Sequence, residues 1–290
     1  MSTLPDAPAP RPNRAYRLAR NSWALPALAF LLLFFAAPLI RNTLTSFSGA
    51  EEGSGQYFDN YIRLFTDAFY AGVLLETLKV SVLVTLICLV IGYPVAYFMV
   101  RYAGRWNPFL VFCLIAPLLT SIIMRTFGWE VIFARKGLLN LFLMDAGLIS
   151  RPLDLLRNPV SVYIGLAHVL APFMVLSITA VLQGADRRLE EAARVLGAGP
   201  WRTFLNVTWP MSLEGVMTGS ILVFVLTNGS FLTMLLLGGG TVKTLAMLIY
   251  QQFNLTQDVA FASAMGNVLL LIALIGLVLQ SRVVSRRRAK

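Results

Sequence analysis

The sequence predicts an all-α fold, a polytopic membrane protein with six transmembrane helices, from its composition and the lengths of its apolar runs. Of 290 residues, 57% are hydrophobic and only 13% are charged, which is more apolar surface than one soluble core of this size needs. A helix needs roughly 20 residues to cross a hydrocarbon layer of about 30 Å. Six apolar runs approach or exceed that length, and they give the predicted spans 23–40, 74–100, 108–133, 160–182, 211–237 and 260–284.

The net charge of +10 is distributed unevenly along the chain. Basic residues concentrate in four segments, 11–20, 101–105, 187–202 and 282–290. These lie before span one, between spans two and three, between spans four and five, and at the end of span six. Cytoplasmic segments of membrane proteins carry such an excess of Lys and Arg, so all four segments and both termini are predicted to be cytoplasmic. This pattern accounts for the charge without a nucleic-acid partner, and the lipid bilayer is the expected surrounding of the chain.

The chain divides into a membrane domain and two short tails. Residues 1–20 are expected to form a disordered basic cytoplasmic tail, because four prolines lie there among small and basic residues. The six-span domain covers residues 21–285, and residues 286–290 form a second basic cytoplasmic tail. The first span is predicted to stay uncleaved, because its apolar run exceeds the usual core of a signal peptide. On the outer side, residues 57–70 are predicted to contain an amphipathic helix.

The longest predicted cytoplasmic connection, residues 186–210, has the features of two short helices. Asp186 is a favourable N-cap for the first helix, and Gly197 suits the left-handed position that follows a helix C-terminus. Pro200 suits the first turn of the second helix, which Pro210 is predicted to end. We therefore expect a compact helical pair on the cytoplasmic side, between spans four and five.

A spaced motif lies within this loop. Its residues are Glu191, Ala192, Ala193, Gly197 and Pro210. The spacing resembles the EAA motif, E-A-A-x3-G-x9-I-x-L-P, of binding-protein-dependent ABC importer permeases. Val207 and Trp209 depart from it, since they replace isoleucine and leucine. Further similarity to the spermidine/putrescine-type branch of that family covers most of the chain from Trp23 onward, including residues 92–97, 125–129, 137–140 and 200–204.

The resemblance implies a type I ABC importer permease fold in the bacterial inner membrane. It implies as partners a second permease subunit, a paralogue or an identical copy, together with two ABC ATPase subunits and a periplasmic substrate-binding protein. The five motif residues would couple this chain to the ATPases, which would hydrolyse ATP with Mg²⁺, while this chain binds no cofactor. Consistent with that division, residues 238–244 have Val242 where the glycine of a P-loop is required.

Polar residues inside spans three and five are candidates for the solute pathway. They are Ser121, Arg125, Trp129, Glu130, Thr227, Asn228 and Ser230. Ionisable groups within a span cost about 2.5 to 3.5 kcal/mol on insertion scales, so Arg125 and Glu130 require a reason to be there. Trp129 is expected to hold Arg125 by a cation–π contact, because the two lie one helical turn apart. The alternative is structural: Arg125 reaches the outer interface, and Asn228 bonds a neighbouring helix.

The imported solute is expected to be a small organic compound that moves by alternating access. Where polyamine-type members tend to carry Gly-Asp-Phe or Gly-Glu-Phe, this chain has Gly229-Ser230-Phe231, so a carboxylate suited to a polycation is missing. A polyamine-like solute, an amino-acid derivative and an opine-like compound therefore stay open. The alternative function is a secondary transporter driven by an ion gradient. An enzyme is not expected, because His168 is the sole histidine and has no catalytic constellation around it.

Overall fold

The computed structural model describes residues 25–48 and 57–288, and almost all of them are helical. In chain order the helices are α1 (Leu25–Leu31), α2 (Ala37–Ser46), α3 (Asp59–Thr66), α4 (Ala68–Arg101), α5 (Asn107–Ile115), α6 (Ile122–Phe133), α7 (Leu138–Asp145), α8 (Pro159–Gly184), α9 (Arg187–Val195), α10 (Pro200–Thr203), α11 (Trp209–Asn228), α12 (Phe231–Gly238), α13 (Leu245–Asn254) and α14 (Val259–Arg288). Wide π turns, Leu32–Ala36 and Phe204–Thr208, join α1 to α2 and α10 to α11. The predicted tail 1–20 lies outside the described residues, whereas residues 286–288 of the other tail continue α14.

Five of the described helical segments are long and apolar enough to cross a bilayer, and a bent pair of helices supplies a sixth crossing. The five are Pro26–Ser46, Ala68–Arg101, Pro159–Gly184, Pro200–Asn228 and Val259–Leu279. The sixth is formed by Gly104–Leu119 and Ile122–Asp145, which meet at an angle of 96°. The predicted all-α architecture with six crossings is therefore confirmed, provided that the bent pair counts as one crossing.

The third crossing is broken rather than continuous over residues 108–133, so that prediction was wrong. After α5 the chain tightens into the 3-10 turn Ala116–Leu119, which contains Pro117, and it then becomes extended at Thr120. Ser121 restarts the helix as an N-cap, because its hydroxyl accepts a hydrogen bond from the backbone N–H of Ile123. Proline and a capping serine in succession account for the break.

The fifth crossing also differs from the predicted span 211–237. It begins at Pro200, because the helix continues past Pro210 instead of ending there. The π turn before Pro210 makes this possible: Trp209 donates its N–H to Phe204 five residues back, which widens the backbone at the position where a proline ring crowds a regular helix. The crossing ends at Asn228, and the short helix α12 follows after Gly229 and Ser230.

The core of the molecule consists of α8 packed between α4 and α11. Glycines make this packing close. A Cβ atom on Gly215 of α11 would lie 2.8 Å from the carbonyl oxygen of Ser177, and one on Gly92 of α4 would lie 3.1 Å from Cγ of Met174. Small residues at crossings let the backbones of membrane helices approach and gain van der Waals contact. Helix α8 is therefore clamped from both sides at Met174 to Ile178.

Two further contacts order the helices at the end of the bundle opposite the 186–210 loop. Asn267 of α14 joins the C-terminal end of the first crossing, through hydrogen bonds to Ser46 and to Asn42 at 3.0 Å. Arg63 of α3 lies 4.2 Å above the ring of Phe261 and pairs with Asp258 at 3.3 Å. Helix α3 thus supplies the helix predicted within residues 57–70, and it anchors the surface of this end to α14.

The glycine contact at the α8–α11 crossing gives the first prediction. Gly215→Ala should destabilise the protein by about 1–3 kcal/mol, because the new methyl group meets backbone rather than a movable side chain. Gly266→Ala in α14 is the matched control, since a Cβ there has nothing within 4 Å. Thermal unfolding of the detergent-purified protein measures both changes. Equal melting midpoints for the two variants would show that the crossing is looser than described.

Candidate functional site

Helix α9 in the 186–210 loop has well-defined ends. Asp186 caps its N-terminus, with the side chain accepting a hydrogen bond from the N–H of Arg188 at 2.9 Å. At the C-terminus, the N–H groups of Gly197 and Ala198 bond back to the carbonyls of Arg194 and Ala193, both at 3.0 Å. This is the Schellman arrangement, and Gly197 adopts the left-handed conformation it requires, with φ of +87°. The expected cap and C′ glycine are both present.

The motif residues occupy different environments within the loop. Glu191 is exposed and pairs with Arg187 one turn away at 3.4 Å, while Ala192 is exposed and Ala193 is half-buried. Two apolar side chains at the end of α9 are almost fully exposed to solvent: Val195 is 87% exposed and Leu196 is 88% exposed. Pro210 lies in the first turn of α11, on the exposed side. The loop therefore presents an apolar tip beside an acidic and basic helix.

A buried ion pair holds the loop against the membrane domain. Arg101 is the last residue of α4, and its Nε and Nη2 atoms both donate to Oε1 of Glu190, at 3.1 and 2.9 Å. Thr208, in the π turn before α11, donates to the same oxygen at 3.1 Å. The Arg101 and Glu190 side chains are only 8% and 5% exposed. Charge-assisted hydrogen bonds of this kind are among the strongest in proteins, so the three segments are firmly joined.

Aromatic side chains pack around the same junction. Tyr93 of α4 bonds to the hydroxyl of Ser212 in α11 at 2.8 Å, and its ring contacts Phe204 and Trp209 at centroid distances of 5.6 and 5.2 Å. Trp209, which departs from the leucine of the EAA pattern, thus fills a contact between α4 and α11. The C-terminal part of α4 and the N-terminal part of α11 are consequently linked by both polar and aromatic contacts.

The candidate pathway residues of the third crossing lie at and just after its break. Ser121 is the N-cap of α6, and Arg125 follows one turn later. The Nε and Nη1 atoms of Arg125 are buried without a hydrogen-bond partner among the described residues. Glu130 is half-buried, and no ion pair joins it to Arg125 within the described chain.

Trp129 does not hold Arg125 as expected. Its indole N–H donates to Nδ1 of His168 in α8 at 3.2 Å, and its ring stacks on Phe133 at 4.9 Å. His168 thus acts as a hydrogen-bonding partner between helices. Trp129 and His168 also line a predominantly apolar cavity of about 670 Å³ between α4, α5, α6 and α8, together with Tyr163.

The candidate residues of the fifth crossing lie at its C-terminal break. Thr227 and Ser230 are satisfied within the helix, since their hydroxyls donate to Val223 and Leu226 at 2.7 Å. Asn228 is 5% exposed; its amide donates to Phe224 in its own helix, while its side-chain oxygen is buried with no hydrogen-bond partner in the part of the chain that the structure describes. The hydrogen bond from Asn228 to a neighbouring helix, which the structural alternative requires, is not made among the described residues.

The two breaks are brought together by α12. This helix packs against both α6 and α8, and a Cβ atom on Gly165 of α8 would touch Leu237 and lie 3.3 Å from Cγ2 of Thr233. Trp129 of α6 bonds to His168, one turn along α8 from Gly165. The segments that follow the two breaks thus meet on one face of α8. The sequence predicted these polar residues as pathway candidates but did not predict how the helices that carry them pack.

An exposed pair of charged side chains lies on the loop between α7 and α8, at the opposite end from the 186–210 loop. Arg135 contacts both carboxylate oxygens of Asp154, at 2.5 and 2.8 Å. The hydrogen bonds from Arg135 hold the pKa of Asp154 below its ordinary value. Asn140 is buried beneath this loop and bonds the backbone of Leu153 in both directions, at 2.7 and 3.1 Å.

Glu190 and Arg101 are the main residues that the sequence did not single out. The motif includes Glu191, whereas it is the side chain of the neighbouring Glu190 that is buried against the membrane domain. Helix periodicity offers a signal, because Glu190 and the half-buried Ala193 lie on one face of α9. The partner could not be found in this way, since Arg101 lies 89 residues earlier.

Relatives of this chain are permease proteins of transport systems. It is 34% identical over 243 residues to the spermidine/putrescine transport system permease protein PotB of Haemophilus influenzae, which covers 82% of this chain and 84% of that protein. It is 35% identical over 241 residues to the protein of the same name from Escherichia coli K12, covering 82% and 87%.

Solved structures of ABC importers share the fold. A chain of a bacterial ABC transporter that imports the acidic polysaccharide alginate matches with a TM-score of 0.75 and 20% identity, covering 96% of this chain and 100% of that one. A chain of an amino acid ABC transporter matches with a TM-score of 0.54 and 16% identity, covering 79% and 98%.

The sequence pattern of the family described as "Binding-protein-dependent transport system inner membrane component" matches residues 89–289. That range contains the 186–210 loop, both broken crossings and the Arg101–Glu190 pair. This chain therefore belongs to the family of binding-protein-dependent transport system inner membrane components, and it is a permease subunit of an ABC importer rather than an enzyme.

Proposed function

We propose that this permease moves a small organic solute by alternating access, driven by two separate ABC ATPase subunits that bind at the 186–210 loop and hydrolyse ATP with Mg²⁺. A second permease subunit would complete the pathway, and a periplasmic binding protein would deliver the solute. The observation that carries the proposal is the exposed apolar tip of the loop, since contiguous exposed apolar groups mark protein-binding surfaces.

The surface proposed to bind the ATPase is formed by Val195, Leu196 and Trp201, together with the exposed residues of the EAA motif. Trp201 is 70% exposed and stacks on Phe204 at 5.6 Å, which holds its ring in place. A large aromatic ring beside two aliphatic side chains is the kind of anchor that fills a groove on a partner. Gly197 sets the direction in which this surface points.

The orientation we propose places the 186–210 loop and both termini in the cytoplasm. The concentration of arginines in the loop and at both ends of the chain supports this orientation. It directs α7 and the Arg135–Asp154 pair to the periplasm, where the binding protein would approach. The even number of crossings is compatible with termini on one side.

The solute pathway we propose passes the two helix breaks, near Arg125 and Asn228. Side-chain atoms of Arg125 and Asn228 that are buried without a hydrogen-bond partner among the described residues support the assignment. Buried polar groups normally form hydrogen bonds, and polar groups within a membrane are costly when they do not. The chemical class stays broad: a polyamine-like solute, an amino-acid derivative or an opine-like compound. The PotB relatives favour a polyamine, whereas the serine in Gly229-Ser230-Phe231 supplies no carboxylate for one.

Leu196→Asp should abolish binding of the ATPase, because a carboxylate would have to be desolvated inside the partner's groove. Co-purification of the ATPase with a tagged permease measures the effect. Leu148→Asp is the control, since Leu148 is also an exposed leucine, at 69%, but lies on a loop at the opposite end. Normal co-purification of the Leu196→Asp protein would contradict the proposed binding surface.

Asn228→Leu should lower uptake while leaving assembly intact, because it removes the unpaired side-chain oxygen and keeps the size of the side chain. The solute can be identified by mass spectrometry after its release from the purified binding protein, and its ATP-dependent uptake then followed in vesicles. Leu222→Met, on the more exposed side of the same helix, should keep normal uptake. Undiminished transport by the Asn228→Leu protein would remove this residue from the pathway.

A further inference from the structure

We propose that Arg101, Glu190 and Thr208 form an ionic latch that transmits movement of α9 to the membrane domain, so that these three are positioning residues for transport. The inference rests on the proposed function, because it assumes that the ATPases move the loop. It adds something the EAA motif does not specify, namely the contact through which the loop acts on the crossings.

The latch connects three segments that are separate in sequence. Glu190 belongs to the first turn of α9, Arg101 ends α4, and Thr208 lies in the π turn that leads into α11. One carboxylate oxygen accepts all three hydrogen bonds, at 2.9, 3.1 and 3.1 Å. A displacement of α9 therefore cannot leave the ends of α4 and α11 in place without breaking charge-assisted bonds.

Burial makes these bonds difficult to exchange for water. The Arg101 and Glu190 side chains are 8% and 5% exposed, and Thr208 is 1% exposed. Removing one member of a buried pair leaves an uncompensated charge, which is strongly unfavourable. By contrast, the other ion pair of α9, Arg187 with Glu191, is well exposed, so water competes for both groups.

The latch leads directly into the core of the molecule. Helices α4 and α11 are the two that clamp α8 through Gly92 and Gly215. Helix α8 in turn carries His168 and packs against α12, next to the two helix breaks. A continuous set of packed elements thus runs from the loop to the proposed pathway, and it begins at the Glu190 carboxylate.

A permanent anchor and a transmitting latch predict different behaviour, which can be measured on the complete importer in proteoliposomes. Three quantities are needed: the amount of ATPase that co-purifies, the basal ATP hydrolysis, and its stimulation by the purified binding protein. Arg101→Met should retain the first two and reduce the stimulation by about tenfold, a typical size for coupling between distant sites. Arg101→Lys should restore part of it, and Arg105→Met, which alters an exposed arginine nearby, should behave as wild type.

The double variant Arg101→Met with Glu190→Met separates the two roles further. Apolar replacement of a buried ion pair is often neutral for stability, so this protein should melt normally. A transmitting latch predicts that the binding protein stimulates ATP hydrolysis of this variant only weakly. A permanent anchor predicts that the stimulation recovers fully. If Arg101→Met fails to assemble, the stimulation is measured in Thr208→Val, which removes one hydrogen bond of the latch and keeps the shape of the side chain. The latch predicts that this variant shows reduced stimulation.

Unchanged stimulation in Arg101→Met, or in Thr208→Val when the first variant does not assemble, would overturn the latch. So would recovery of stimulation in the double methionine variant. Failure of the proposed function looks different, since the wild-type complex itself would then show no bound ATPase or no response to the binding protein.

Discussion

The close packing of α8 against α4 and α11 is the constraint on which the rest of the structure depends. Glycines at positions 92 and 215 bring backbones together around Met174 and Ser177. In a membrane, helix association has little hydrophobic driving force and relies on such contact. The three-helix core then provides a rigid frame for less regular parts: two broken crossings on one side and the 186–210 loop at one end.

Irregular backbone inside a membrane must be buried in protein or line a cavity, because lipid offers no hydrogen bonds. At the two breaks, Thr120–Ser121 and Gly229–Ser230, local side chains supply part of the missing hydrogen bonding, while Thr120, Ser121 and Gly229 are exposed in this chain. Ser121 caps the helix that restarts after the first break, and Ser230 donates to Leu226 at the second. The segments beyond the breaks, α6 and α12, pack on each other and on α8. Breaks so supported are suited to line a solute pathway.

The loop and the pathway are linked by the same frame. The latch joins α9 to the ends of α4 and α11, which in turn hold α8. Movement imposed on the loop by a bound ATPase would therefore reach α8 without passing through a flexible connection. In the proposed mechanism, the exposed Val195 and Leu196 would contact the ATPase, while the buried Glu190 on the same short helix contacts the membrane domain.

Much of this architecture could be predicted from the sequence, because the lengths of the apolar runs report the crossings directly. Asp186 and Gly197 were also predictable, since caps are local features. Local rules failed where neighbouring structure decides: Pro210 is accommodated by a π turn, and Pro117 with Ser121 breaks a run that composition alone made continuous.

Contacts between distant residues were out of reach for the same reason. Helix periodicity places Glu190 and Glu191 on different faces of α9, but Arg101, the partner that receives the buried Glu190, lies 89 residues earlier in the chain. Trp129 likewise contacts His168 rather than Arg125, because α8 supplies a partner that helix periodicity cannot reveal.

The measurement that tests the account most directly is the driving force of uptake in proteoliposomes that contain the complete complex. We predict that uptake requires ATP and Mg²⁺ on the side that exposes the 186–210 loop, and that it continues when ionophores collapse proton and sodium gradients. Uptake that follows an imposed ion gradient and does not respond to ATP would contradict the account.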